Sequence, residues 1–167
     1  VIHGQEVDTP YNPIPIMAYY YIWFDTNSWD RAKIDYPILG RYSSDSREVM
    51  EQHIRWAKDA GIRGFIVSWK STPKLDPRLE VLMDVAAEHD FYLWIIYQGL
   101  DFERRPISID QIDLDFEFFI EQYAGHPAFQ MYEKPLVIWS GTWEFDTDQI
   151  FSISSAYRDQ LYILASE

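Results

Sequence analysis

The chain has 167 residues, of which 47% are hydrophobic, and a formal net charge of −13 at pH 7. This length suggests a single domain with a sizeable core. The sequence contains no run of about 18 uncharged apolar residues, so no membrane span is predicted. The acidic charge argues against a nucleic-acid partner, because phosphate binding needs clustered Lys and Arg. The sequence has no cysteine, which excludes disulfides and thiol catalysis. It also lacks the basic and apolar segments of a signal peptide.

Strand and helix signals alternate from the beginning of the chain. Residues 1–15 form an irregular, proline-marked lead-in, and an apolar run over 16–24 predicts the first strand. The loop that follows, over 25–45, is longer than a plain connection in a compact domain, and loops of this length are often functional. Asp45 and Glu48 predict a capping box at the start of the first helix.

The same alternation continues to the end of the chain. Gly64–Trp69 is an uninterrupted apolar run, typical of a strand buried on both faces. Asp76 predicts the cap of the second helix. The further elements are expected in this order: a strand over 91–97, a helix over 109–124, a strand over 135–140, a helix over 147–158 and a strand over 161–165.

This order predicts an α/β fold in which residues 16–167 form one (βα)4β5 domain. Right-handed crossovers would give a parallel sheet covered by helices. Two architectures fit the pattern: the first part of a (β/α)8 TIM-type barrel, or an open parallel α/β sheet. A full barrel typically needs about 250 residues, so the domain is expected to be an incomplete barrel.

Common cofactor and catalytic motifs are missing from the sequence. There is no G-x-G-x-x-G and no Walker A motif, so nucleotide binding has no support. The four histidines form neither H-x-H nor H-E-x-x-H, so we expect no zinc site. A serine nucleophile lacks its G-x-S-x-G elbow. The sequence therefore predicts neither a metal nor another cofactor.

Aromatic and polar residues lie together at the ends of the predicted strands. In α/β folds the carboxyl ends of the strands carry the site. Aromatic rings stack on the C–H faces of sugars, and neighbouring polar groups bind the hydroxyls. These positions predict a sugar-binding rim, with core packing as the alternative for each ring and solvent exposure as the alternative for Lys70. The rim residues are Trp23, Trp69, Lys70, Gln98, Trp139 and Trp143.

Four acidic residues also follow predicted strands and should lie on the same rim. They are Asp25, Asp101, Glu144 and Glu167. Glycoside cleavage needs two carboxyl groups on either side of one bond, one to donate a proton and one to act as nucleophile or base. Asp101 and Glu167 are the catalytic candidates, and Asp25 and Glu144 are candidates for binding substrate. Helix capping or simple solvation is the alternative for each acid.

Two stretches of the sequence resemble glycoside hydrolase family 99, the endo-α-mannosidase-like barrels related to family 71. The run over 18–24 is similar to the family's F-Y-Y-P-W-Y opening. The resemblance is strong over about residues 16–70 and weaker but collinear to Ser140. Its second stretch is the more telling one. It consists of Gly40-Arg41-Tyr42-Ser43-Ser44-Asp45, Val49, His53, Ala57, Ala60-Gly61-Ile62 and Gly64-Phe65-Ile66-Val67-Ser68-Trp69.

The resemblance implies a barrel that cleaves or binds α-linked glycans, as oligosaccharides or polysaccharides, without a metal. It implies that Tyr20 or Tyr21 lines the sugar subsite with Trp69, and that Tyr97 lies on the rim. It also favours an extracellular or periplasmic location. Two positions depart from the family: Ile22 replaces its proline, and Gln98 stands where many relatives carry glutamate. The family's W-N-E-x-x-E segment, which supplies the paired catalytic glutamates, does not occur in these 167 residues.

Two alternatives to the hydrolase hypothesis remain open from the sequence. One is a glycan-binding module that uses the same rim and never completes an acid pair. The other is a chain without activity of its own. In that case the open edges of its first and last strands would pair with the remainder of the same barrel or with another copy of the chain.

Overall fold

The computed structural model describes residues 14–31 and 35–166. Most of the predicted lead-in over 1–15 and the catalytic candidate Glu167 lie outside the described residues. The described part contains β1 (Met17–Tyr21), α1 (Arg47–Asp59), β2 (Gly64–Trp69), α2 (Asp76–Glu88), β3 (Tyr92–Gln98), α3 (Ile109–Gln122), β4 (Leu136–Ser140), α4 (Thr147–Tyr157) and β5 (Tyr162–Ser166). Short 3-10 helices occupy Thr26–Asp30, Pro127–Phe129 and Thr142–Glu144.

The five strands form one parallel sheet in the spatial order β1-β2-β3-β4-β5. A doubly wound sheet reverses its strand order at a switch point, whereas a barrel adds each new strand beside the previous one. The order found here is that of a TIM-type barrel, and the alternation of strands with helices confirms the predicted (βα)4β5 arrangement. Right-handed crossovers in such an order place the helices on one side of the sheet.

The core lies between the sheet and these helices. Side chains alternate across each strand, so every second residue points toward the helices, and on β2 these residues are Phe65, Val67 and Trp69. We call this the helix side of the sheet and the opposite surface the open side. The largest fully buried side chains of the core are Trp69, Trp139, Tyr97, Phe91, Phe116, Phe119 and Phe129.

Two helix caps differ from the sequence predictions. α1 is capped by Ser46, whose hydroxyl accepts a 3.3 Å hydrogen bond from the Val49 amide, and not by Asp45. The Asp45 carboxylate instead binds Arg78 on α2. Asp76 is the first residue of α2, whose cap position is Leu75, and the Asp76 carboxylate accepts a hydrogen bond from the Trp69 indole at 3.0 Å. In both cases the acid binds a side chain of another element.

Candidate functional site

The open side of the sheet positions the candidate site at the carboxyl ends of the strands. In the strand register Tyr21 lies beside Ser68, and Ser68 lies beside Ile96. One layer further toward the carboxyl ends, Gln98 of β3 lies beside Ser140 of β4. Because side chains on one strand alternate with a period of two, all of these residues face the same way.

Two adjoining cavities lie against this surface. The first has a volume of about 310 Å³ and is lined by Tyr19, Tyr21, Trp23, Ile96, Gln98 and Ser140. The second, of about 450 Å³, is lined by Trp23, Ser68, Lys70, Thr72, Lys74, Leu75, Gln98, Leu100, Asp101 and Phe102. Trp23 and Gln98 belong to both linings, and we call the two cavities together the cleft.

The cleft combines exposed rings with polar groups. The rings of Tyr21 and Trp23 lie 4.5 Å apart between centroids, and 44% and 42% of these residues is exposed. The ammonium of Lys70 lies 5.4 Å from the centre of the Phe102 ring. The Ser68 hydroxyl is buried and has no hydrogen-bond partner among the described residues. Such a surface can stack on a flat apolar face and bind hydroxyl groups beside it.

Three rings expected on the rim lie on the helix side instead. Trp69, Tyr97 and Trp139 are each at most 1% exposed. They stand in register with one another across β2, β3 and β4, one residue away from the layer that faces the cleft. Their predicted placement on the sugar-binding rim is therefore corrected: they pack in the core, where the Tyr97 phenol donates a hydrogen bond to Asp115 at 2.8 Å.

Tyr20 also points away from the cleft. Its hydroxyl lies 2.9 Å from Nδ1 of His53 on α1, and its ring stacks on Phe65 with centroids 4.3 Å apart. Burial raises the pKa of Tyr20 above its ordinary value and lowers the pKa of His53. Of the two tyrosines that the resemblance offered for the site, Tyr21 is therefore the one in the cleft.

Asp101 lines the cleft, but its carboxylate is engaged within its own loop. Oδ1 accepts hydrogen bonds from the backbone amides of Glu103 and Arg105 at 2.8 and 2.9 Å, and Oδ2 accepts one from the Arg105 guanidinium at 2.9 Å. The backbone hydrogen bond from Arg105 is the largest of the effects that hold the pKa of Asp101 below its usual range. An ionised carboxylate in this state is poorly suited to donate a proton.

Two further predicted acids, Asp25 and Glu144, lie outside the linings of both cavities. Asp25 binds Lys74 at 2.6 Å and Arg78 at 2.5 Å, and these hydrogen bonds, that of Lys74 first, lower its pKa. Glu144 is exposed in the 3-10 helix after β4 and lines neither cavity. Trp143 in the same turn is 52% exposed and is likewise absent from both linings.

Several lining residues were missed by the sequence argument. They are Tyr19, Ser68, Thr72, Lys74, Leu75, Ile96, Leu100, Phe102 and Ser140. For Tyr19, Ser68 and Ile96 a signal was available: each is an even number of residues from Trp23, Lys70 or Gln98 on the same strand or its extension, so it faces the same side. The loop residues carried no comparable signal.

Over residues 14–31 and 35–166, no group of three or more His, Cys, Asp or Glu residues could hold a metal ion. None of the helices described is both long and apolar enough to cross a membrane.

Comparisons with known proteins agree with the fold and the motifs. The model of glycosyl hydrolase family 99 matches residues 15–148. A human glycoprotein endo-alpha-1,2-mannosidase-like protein is 26% identical over 143 residues, which cover 81% of this chain and 30% of that protein. A mouse glycoprotein endo-alpha-1,2-mannosidase is 28% identical over 106 residues, covering 59% of this chain and 22% of that protein. The chain thus spans less than a third of these relatives.

Solved structures show the same architecture. The GH99 endo-alpha-mannosidase from Bacteroides thetaiotaomicron superposes with a TM-score of 0.70 at 19% identity, covering 91% of this chain and 55% of that one. The solved family 99 structures are TIM barrels, and the strands described here form the N-terminal part of such a barrel. The family match over residues 15–148 covers most of the sequence, so this chain belongs to glycosyl hydrolase family 99.

Proposed function

We propose that this chain forms part of an endo-α-mannosidase-like glycoside hydrolase acting on an α-linked glycan, and that the cleft holds the sugar. The observation that carries the proposal is the position of Trp23, whose partly exposed ring belongs to the linings of two adjoining cavities. A ring shared by two cavities can stack on a sugar at the junction between two neighbouring units. The names of the human and mouse relatives support a mannose-containing substrate.

The proposed contacts divide between stacking and hydrogen bonding. Tyr21 and Trp23 would stack on the pyranose faces, while Gln98 and Lys70 would bind hydroxyl groups. The Gln98 amide offers both donors and an acceptor, and the Lys70 ammonium offers three donors. Asp25 would act indirectly, through Lys74, which lines the cleft and binds the Asp25 carboxylate.

The experiment that tests this proposal is a calorimetric titration of the protein, as its source makes it, with an α-1,2-linked manno-oligosaccharide. Trp23→Ala should weaken binding by about tenfold, which corresponds to about 1.4 kcal/mol, a loss typical of truncating an important aromatic contact residue in a binding site. Trp56→Ala is the matched control, because Trp56 is also 42% exposed but lies on α1, outside the cleft. Equal affinities for the two variants would remove Trp23 from the site.

A second candidate function is a glycan-binding module without catalysis. It is favoured by one observation: among the described residues that line the cleft, Asp101 is the only acid, and its carboxylate is held by its own loop. Release of new reducing ends from the bound oligosaccharide would decide for the hydrolase. Binding without such release, in the protein as its source makes it, would decide for the module.

The two edge strands of the sheet, β1 and β5, are available to pair with further strands. In the described part of the chain β1 and β5 each pair with one strand only, and Tyr162 and Leu164 of β5 are 39% and 50% exposed. We propose that these edges pair with the remainder of the same barrel or with another copy of the chain, since unpaired strand edges readily recruit partners. Sedimentation of these 167 residues alone should therefore show oligomers, and a monodisperse monomer would count against the proposal.

A further inference from the structure

The long loop between β1 and α1 is closed by contacts at its two ends. The amide of Ser44 donates a 2.8 Å hydrogen bond to the Phe24 carbonyl, and the amide of Phe24 donates a 3.2 Å hydrogen bond to the Ser44 hydroxyl. Ser44 is only 4% exposed. These reciprocal bonds join the two ends of the loop directly after Trp23. We call Phe24 and Ser44, together with the adjacent Asp25 and Asp45, the neck of the loop.

Arg78 on α2 binds both sides of the neck at once. Its Nε and Nη2 atoms donate to the two oxygens of Asp45 at 2.6 and 2.8 Å. Nη2 also donates to Asp25 at 2.5 Å, and Nη1 donates to the Ile22 carbonyl at 3.0 Å. One guanidinium therefore joins the end of β1, the start of the loop and the end of the loop. Its planar, forked geometry suits such multiple contacts, which a lysine cannot reproduce.

This arrangement bears directly on the cleft. The carbonyl that Arg78 binds belongs to Ile22, so it is part of the peptide group that precedes Trp23. Ile22 is fully buried and Arg78 is 4% exposed, which makes both poor candidates for contact with a ligand. A buried guanidinium that fixes this peptide fixes the direction in which the Trp23 side chain leaves the backbone.

We propose that Arg78 is a positioning residue for Trp23. By binding both sides of the neck, Arg78 keeps the Trp23 indole between the two cavities, where it can stack on the glycan. This proposal rests on the proposed function for its effect on affinity, but the placement of the indole can be measured without any ligand. The salt bridges of Arg47 on α1 are to Glu51 and, at the end of α2, to Glu88, rather than to Asp25 or Asp45.

The test uses protein labelled with 5-fluorotryptophan, in which the seven tryptophans give separate fluorine signals that Trp→Phe variants assign. Arg78→Met should shift or broaden the Trp23 signal while leaving those of Trp94 and Trp139 in place. The same variant should weaken binding of an α-1,2-linked manno-oligosaccharide by about tenfold. Arg47→Met is the control and should change neither the signal nor the affinity. Arg78→Lys should restore the Trp23 signal only in part.

Each outcome decides the proposal. A folded Arg78→Met protein with an unchanged Trp23 signal overturns it, as does an equal change in Arg47→Met. If Arg78→Met fails to fold, Asp45→Asn replaces it, because the Asp45 side chain is 66% exposed and its loss removes one anchor of the neck. If the unaltered protein binds no glycan, the proposed function fails, while the Trp23 signal still supports or overturns the positioning role.

Discussion

The phenol of Tyr97 donates a 2.8 Å hydrogen bond to the carboxylate of Asp115, and both residues are at least 97% buried between β3 and α3. Gln111 donates to the other oxygen of Asp115 at 2.7 Å. Burial, with the neighbouring Asp115 charge, raises the pKa of Tyr97. The phenol is therefore a neutral donor to a buried acid, and this role explains why its ring is unavailable to the cleft.

Tyr97→Phe should destabilise the fold and leave glycan affinity unchanged. Removing the hydroxyl leaves one oxygen of a buried carboxylate without its donor, which costs about 1–3 kcal/mol. Urea unfolding would measure the loss, and titration with the oligosaccharide would measure the affinity. Tyr132→Phe is the control, since Tyr132 is 41% exposed. A folded Tyr97→Phe protein with weakened glycan binding would contradict the prediction and mean that Tyr97 contributes to the sugar-binding site.

The sequence predicted the strands well but not the side that each strand-end residue faces. Trp69 and Lys70 are neighbours, as are Tyr97 and Gln98, and successive residues of a strand point to opposite sides. The aromatic members of these pairs are buried in the core, whereas Lys70 and Gln98 line the cleft. Which member faces the helices depends on the packing of α2 and α3 against the sheet, and strand-end composition does not contain that information.

The roles of the acids were equally hidden from the sequence. Asp25 and Asp45 are 20 positions apart, and the sequence near each of them suggests only a local role. The structure joins both to Arg78, more than 30 positions further along the chain. Asp101 follows a strand as expected. The hydrogen bonds that its carboxylate accepts from loop amides, however, depend on a turn in which Arg104 has a φ of 62°. Long-range partners of this kind decide whether an acid is free to act.

Gly99→Ala should destabilise the protein, because the position has no room for a side chain. A Cβ atom there would lie 2.5 Å from the indole nitrogen of Trp139 and 2.6 Å from the carbonyl oxygen of Ser140. Both neighbours are at the end of β4, and overpacking of this kind costs about 1–3 kcal/mol. Gly125→Ala is the matched control, since nothing lies within 4 Å of its Cβ position. Similar melting temperatures for the two variants would contradict the prediction.

The contact between Asp45 and Arg78 should make stability depend on pH in the acid range. The hydrogen bond from Arg78 is the main effect that lowers the pKa of Asp45 to about 2. Because this value lies below that of the unfolded chain, near 4, the stabilisation is present above about pH 4 and is lost as the pH falls toward 2. The Asp45 side chain is 66% exposed, so solvent screening limits the effect to about 1 kcal/mol.

The measurement compares the unaltered protein with Asp45→Asn by urea unfolding between pH 2 and pH 6. The difference in unfolding free energy should be about 1 kcal/mol at pH 6 and should vanish near pH 2. Asp159→Asn, at an exposed position after α4, is the control for the same chemical change at a site that Arg78 does not bind. A difference that stays constant across this range would mean that the Asp45 charge does not stabilise the fold.

Gln98 offers the sharpest test of hydrogen bonding in the cleft. It lines both cavities and lies beside Ser140 in the strand register, and within the described part of the chain its amide makes no hydrogen bond. Gln98→Ala should therefore leave the melting temperature nearly unchanged and weaken oligosaccharide binding about 3- to 10-fold, as expected for one lost hydrogen bond to a neutral hydroxyl. Gln160→Ala, at an exposed position, should alter neither quantity. Full affinity in Gln98→Ala would place the glycan hydroxyls elsewhere in the cleft, and a lowered melting temperature would mean that the amide supports the sheet.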